Sequence, residues 1–455
     1  MSWRLTLVAL LVISTPARAG AADVADLNLP VWSVTPFVVL LLAIAFMPLV
    51  AGHWWHHNRS KAIVATALAL PMVGLFTFLQ FLQGQPTLSV LAHELVKYAS
   101  FIALLGALYI VSGGLVVHCH YRPRPAVNVA FLAVGACVAN LIGTTGASAL
   151  LIRPFLRINR HRKHSAHLPV FFIFSVSNLG GLLTPLGDPP LFLGFLHGVP
   201  FFWTLSLWPQ WLVTNGLVLG AFLVWDVLVY REETPATEHV DHLHGRRLWI
   251  EGRINFAFLA GIMGMVLLQG ELIEPWNEVV GILSMAVLAC LSLRLTPGRL
   301  RTLNDFSWEP ILEVAILFAG IFITMIPALT LLAQHGKNLG IDQPWEYFWL
   351  TGALSSFLDN APTYLTFAIM AAGSEDVQIL TANLVPGLDG PRILQAISCG
   401  AVFMGAMTYI GNGPNFLVKA ISDKSGMRTP GFLGYCAYSA IILLPIFAIV
   451  TLMFF

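Results

Sequence analysis

Apolar residues along this chain gather in long blocks separated by short polar stretches that carry most of the charge. The blocks fall at about 31–52, 62–83, 97–117, 131–152, 168–197, 201–229, 254–270, 278–293, 309–333, 346–371, 393–418 and 432–455. A helix rises 1.5 Å per residue and the hydrocarbon slab is about 30 Å thick, so a block near 20 residues predicts a membrane-length helix. A shorter block, Leu5 to Ile13, follows Arg4 and precedes Ala17-Arg18-Ala19, the pattern of a cleavable signal peptide over residues 1–19.

Four blocks are interrupted by residues that break helices. "ANLIGTTGAS" (139–148) and "SSFLDNAPTY" (355–364) have the small, polar and proline content of a hairpin tip, and "TPLGDPPLFL" (184–193) and "TYIGNGPNFL" (408–417) place glycines and prolines inside a span. Non-helical backbone at membrane depth persists only where protein or a wet cavity satisfies it, so these stretches are expected to face one another or a cavity.

Charge decides the number of crossings. Cytoplasmic loops are enriched in lysine and arginine, and if every block crossed, most of these residues would lie outside. If 131–152 and 346–371 are re-entrant hairpins, only Lys97, Lys337 and Arg392 of the mature chain lie outside. The expectation is therefore an all-α polytopic membrane protein with about ten spans, two re-entrant hairpins and two broken helices, and with both ends of the mature chain outside.

The last two stretches align at an offset of 224, with Thr184/Thr408, Gly187/Gly411, Pro190/Pro414, Phe192/Phe416 and Leu193/Leu417 identical and Asp188 opposite Asn412. In this topology the copies run in opposite directions, which is an inverted repeat. The first repeat covers 30–230 (hairpin 131–152, broken helix 168–197), the cytoplasmic linker 231–253, and the second repeat 254–455 (hairpin 346–371, broken helix 393–418). Inverted repeats with interrupted helices near the midplane are the signature of secondary transporters.

Composition agrees, since 57% of residues are hydrophobic and 10% charged, against about 25% charged in soluble domains. The net charge of +1 gives no reason to expect a nucleic-acid partner. Five scattered cysteines read as inert thiols. Most of the histidines, His161, His164 and His167 among them, fall in basic loops and read as solvated.

Asp188 is placed as an N-cap with Pro189 at the first helical position, and Asn412 repeats that chemistry. A carboxyl at depth costs at least about 2.5–3.5 kcal/mol on insertion scales, which makes it a functional candidate beyond a cap. "SNLGGLLTPLGDPP" (177–190), "FLDNAPT" (357–363) and "GAMTYIGNGPN" (405–415) together resemble the paired motifs of the ion-transporter superfamily, and are similar to its citrate transporter or NhaD-like sodium:proton antiporter branch. The resemblance implies a scaffold domain, a transport domain with two facing hairpins, a homodimer in the lipid bilayer, elevator-like movement and a multi-pass place in a bacterial inner membrane.

Asp188 and Asp359, flanked by Asn140, Asn178, Asn360, Asn412 and Asn415 and by the hydroxyls of Thr144, Thr145, Thr184, Thr363 and Thr408, make a hard oxygen site suited to Na⁺ or Li⁺ and to protons. The chain is expected to exchange sodium or lithium for protons with Asp188 and Asp359 as shared carboxylates, to have no enzymatic activity and to need no cofactor beyond the coupling ions. Cation-coupled citrate or dicarboxylate symport is the alternative. No basic residue is expected deep in the spans to receive a tricarboxylate. An intramembrane aspartyl protease is a remote third reading, because Leu358-Asp359 and Leu186-Gly187-Asp188 lack the motifs of such enzymes. Glu309, Glu313 and Asp226, at span ends, read as interfacial ion-pair partners.

Overall fold

The computed structural model describes residues 27–119, 121–233, 248–272, 276–335, 340–427 and 429–455. The expected signal peptide and the centre of the 231–253 linker lie outside the described residues. The first half comprises α1 (Thr35–Val50), α2 (Asn58–Gln83), α3 (Thr87–Ser112), β1 (Val116–Cys119), α4 (Pro125–Ile142), α5 (Thr144–Asn159), α6 (His167–Ser175), α7 (Pro189–Leu196) and α8 (Trp208–Tyr230). The second comprises β2 (Leu248–Glu251), α9 (Ile254–Glu271), α10 (Trp276–Leu295), α11 (Glu309–Thr324), α12 (Ile326–His335), α13 (Pro344–Ser355), α14 (Asn360–Ala372), α15 (Gly390–Met404), α16 (Gly413–Lys424) and α17 (Phe432–Phe454).

Among the described residues seven helices are long and apolar enough to cross a membrane, or eight if the bent pair α11 and α12 is one span. The chain is a helical polytopic membrane protein. Ten spans is a different count, because it takes α6 with α7 and α15 with α16 as single broken crossings. It also counts the shorter apolar helix α9 as a crossing, and it treats α4 with α5 as a hairpin although α4 alone has the length and apolarity of a span.

Three local departures from the sequence expectation have physical causes. The helix expected at 97–117 begins at Thr87, and Lys97 is buried inside it instead of lying in a loop. Its charge is met by Glu94 one turn earlier at 2.9 Å, so two ionisable groups are tolerated together where one would not be. The helix expected at 309–333 bends by 44° between α11 and α12, where Pro327 can neither donate its backbone nitrogen nor clear the preceding turn. Finally, the all-α expectation misses one antiparallel ribbon, β1 with β2, in register Val116 to Glu251 and Cys119 to Leu248. Val116-Val117 and Trp249-Ile250 are residues that fit a pleated strand.

Helix packing divides the molecule into two groups. One contains α1, α2, α3, α9, α10 and α11, and the other contains α4 to α8 and α13 to α17. In the second group α5 packs on α16 and α14 on α7, so the helix after each expected hairpin tip meets the helix after the break in the other half. The groups meet where α3 touches α5 and α7 and where α9 touches α4, and α12 links them by packing on both α11 and α14.

The loops sort to two ends. The 153–167 segment, the start of β1, Leu303, Asp305 and residues 421–427 surround one chamber. At the other end Val377 donates its backbone N–H to His197 and Gln334 donates to the Leu27 carbonyl. The charge count assigned these two sets of loops to opposite sides.

Candidate functional site

Gly143, between α4 and α5, has φ +77°, a conformation open mainly to glycine. It turns the chain so that Thr144 donates its backbone N–H to the Gly187 carbonyl at 2.8 Å. Gly187 in turn is pressed against Gly181, where a Cβ would stand 2.1 Å from the Gly181 carbonyl oxygen. The equivalent contact 224 residues later is Gly411 against Gly405, where the distance would be 2.7 Å. Residues 188 and 412 share a conformation as well, φ −143° and ψ 142° against φ −151° and ψ 140°. Thr184 and Thr408 donate their hydroxyls to the carbonyls of Asn140 and Ser356, each at 2.5 Å.

These turns bring four helix N-termini, those of α5, α7, α14 and α16, around one carboxylate. Asp188 is 1% exposed. It accepts hydrogen bonds from Thr144 Oγ1 at 2.8 Å, Asn360 Nδ2 at 2.6 Å and Asn412 Nδ2 at 3.3 Å. All three donors are neutral, and no ion pair reaches Asp188 among the described residues. The N-terminal partial charges of the surrounding helices favour negative charge there. Asn360 Oδ1 is buried with no hydrogen-bond partner, leaving a hard oxygen acceptor unused beside the carboxylate.

An asparagine chain extends this centre. Asn412 also donates to Asn178 Oδ1 at 3.1 Å, and Asn178 donates to Asn415 Oδ1 at 2.7 Å. Asn415 donates to the carbonyls of Gly405 and Thr408, binding the broken stretch of the second copy. Asn140 accepts the Leu183 N–H at 2.8 Å and holds the first copy in the same way.

The capping chemistry expected at Asp188 and Asn412 is absent. Both occupy N-cap positions, but neither side chain bonds its own helix, because each is drawn to partners across the site. Asp359 is the aspartate that caps, accepting the Ala361 N–H at 3.1 Å. Thr363 donates to the Asp359 carbonyl within the same turn. No hydrogen bond joins the two carboxyl groups; Asp359 adjoins the centre through its neighbour Asn360. Thr145 is half-buried beside Thr144. Sequence reading did not single out Ser177, whose carbonyl accepts from Asn412 and whose hydroxyl meets Ser148 at 2.7 Å; its place at the head of the 177–190 motif, beside Asn178, was the signal available.

Of the three acids expected to pair, Glu313 meets Lys61 at 2.7 Å and Asp226 meets Arg162 at 2.5 Å, the latter pair buried, and no ion pair reaches Glu309 among the described residues. His167 is a correction, because it is buried and 2.8 Å from Asp226 instead of solvated. Lys97 is the second. It is a basic residue inside a membrane-length helix, 3.0 Å from His197 and 3.3 Å from Glu375 as well as bonded to Glu94. It lies at the far end of α7 from Asp188. No group of His, Cys, Asp and Glu side chains among the described residues is arranged to hold a metal in the manner of a multi-ligand centre.

A family model described as "Putative citrate transport" matches residues 26–455. No curated protein matches the chain.

Proposed function

This chain belongs to the "Putative citrate transport" family, and from that premise we propose that it is a secondary active transporter exchanging Na⁺ or Li⁺ for H⁺, with Asp188 as the carboxylate the two ions share. The observation that carries this reading is the pairing of a buried Asp188, which no lysine, arginine or histidine reaches among the described residues, with the unpartnered Asn360 Oδ1. A carboxylate oxygen and an amide oxygen are the ligands a small hard cation takes. Once the carboxylate is protonated it becomes a donor itself and has less to offer a cation, so one proton and one cation compete for the same group.

Alternating access completes the scheme. The asparagine chain and the hairpin tips belong to one helix group, so displacement of that group against the other would carry Asp188 between the two sides without dismantling its partners. Asp359 contributes by fixing the α14 N-terminus, which aims Asn360.

The family description favours a second reading, cation-coupled citrate uptake. Four converging helix N-termini would attract a substrate carboxylate, with Asp188 and Asn360 holding the coupling cation.

Inverted membrane vesicles carrying a respiration-generated proton gradient separate the two. Addition of Na⁺ or Li⁺ is expected to collapse the gradient, and Asp188→Asn is expected to abolish the effect. If Na⁺ leaves the gradient intact while labelled citrate accumulates in a cation-dependent way, the exchange reading fails and symport replaces it.

A further inference from the structure

We propose that the chamber at the basic end of the molecule is a binding site for a multivalent oxyanion, a phosphate- or carboxylate-bearing group with at least two negative charges. The chamber has a volume of about 890 Å³, within the range of small-molecule pockets. None of the residues around Asp188 lines it, so it is a separate site, and the inference is independent of which ion Asp188 carries.

Its walls are cationic. Arg153 and Arg157 face it from the last turns of α5, Arg160, Arg162 and Lys163 from the α5–α6 connection and Lys424 from the end of α16, against one lining acid, Asp305. Asp305 is engaged with Arg153 at 3.4 Å. Arg157, Arg160 and Lys424 have no carboxylate within ion-pair distance among the described residues. Like charges held in one concave space repel, and a multivalent anion relieves several of them at once.

Arg162 points to the ligand most directly. Its side chain is 1% exposed, and Nη1 is bound to Asp226 at 2.5 Å while Nε is 3.8 Å from Glu233. Nη2 is buried with no hydrogen-bond partner. A buried guanidinium N–H without an acceptor is unfavourable, and because Arg162 lines the chamber a small shift of its side chain would offer that N–H to an oxyanion there. Enrichment of basic loops on the cytoplasmic side would account for arginines facing lipid headgroups at the rim. It does not account for a buried arginine on the chamber wall that keeps an N–H group without an acceptor after pairing with Asp226.

The anion-attracting side chains all belong to one helix group, Arg157, Arg162 and Lys424 among them, whereas Asp305 and His118 follow helices of the other.

The same chemistry is offered by a soluble polyanion and by an anionic phospholipid headgroup, and one experiment separates them. The full chain, purified in an uncharged detergent, is unfolded thermally while tryptophan fluorescence is followed. Inorganic pyrophosphate is titrated against sodium chloride at matched sodium and ionic strength, and in parallel phosphatidylglycerol is titrated against phosphatidylcholine. A saturable rise in midpoint with pyrophosphate is expected for a soluble ligand, and a rise only with phosphatidylglycerol assigns the site to a headgroup. In either case Arg157→Gln combined with Arg160→Gln should weaken the apparent affinity at least tenfold, and Lys424→Gln on the opposite wall should weaken it independently. If the double variant fails to fold, Lys424→Gln alone decides. The proposal is overturned if neither anion stabilises the protein, or if wild type and folded variants respond alike.

Discussion

Asn360 donates to Asp188 across 2.6 Å while the other end of the same amide is buried without a partner. One side chain thus orients the carboxylate and leaves an oxygen beside it. Replacing Asn360 by leucine removes both functions at similar volume. Cation-driven proton release in inverted vesicles should fall at least tenfold, while membrane insertion measured by yield is retained. Unchanged exchange would remove Asn360 from the site.

The two aspartates should behave differently. Asp188→Asn removes the group that must be either protonated or cation-bound, and exchange should drop to background. Asp359→Asn keeps a capping side chain, since asparagine caps about as well as aspartate, so it should retain a substantial fraction of the wild-type rate. Initial rates of dye-reported proton movement at several Na⁺ concentrations distinguish the outcomes. Equal loss in both variants would mean that Asp359 also carries charge in the cycle.

The pH dependence has a fixed sign. Protons and cation compete for Asp188, so lowering pH should raise the Na⁺ concentration needed for half-maximal exchange, toward tenfold per pH unit once the carboxyl is mostly protonated. The maximal rate should be less sensitive than the half-saturating concentration. Measuring both from pH 6 to 9 checks the scheme, and a half-saturating concentration independent of pH would contradict competition.

Glycine contacts at the broken stretches should be intolerant of a methyl group. Gly187→Ala and Gly411→Ala drive a Cβ against backbone carbonyls, and overpacking of this kind costs about 1–3 kcal/mol. Both variants should show lower thermal midpoints in detergent. Gly413→Ala is the control, because nothing lies within 4 Å of its added Cβ.

Single cysteines at Ser165 and Thr381 should be labelled from opposite sides of the membrane. The background needs Cys137 and Cys290 replaced, since both are exposed. Cys119 is less of a concern, because burial pushes its thiol up to about 11 and the thiolate is the reactive form. Labelling from the same side would remove the inverted topology.

What the sequence made legible was local. The hairpin tips, the offset of 224 and the proline and glycine breaks each sit within about ten residues, and the folded chain turns at those places. The partners of Asp188 were named, but its role was mistaken in one respect. A residue before Pro189 looks like a cap, and only contacts with Thr144, Asn360 and Asn412, from 44 to 224 residues away, show where its carboxylate turns. Lys97 was misplaced although its nearest partner, Glu94, is only three residues away; that pair alone reads as the edge of a span, and the burial that His197 and Glu375 complete joins residues 100 and 278 positions distant.

The β1–β2 ribbon joins two particular passages of the chain. β1 lies between α3 and α4, and β2 lies between α8 and α9, so each strand sits on a stretch that leads from one helix group to the other. Stitched together, the two passages tie the helix groups to each other at the basic end. Under the proposed exchange, relative travel of the groups would be short near the ribbon and longer away from it, where it would have to part Lys97 from His197 and Glu375.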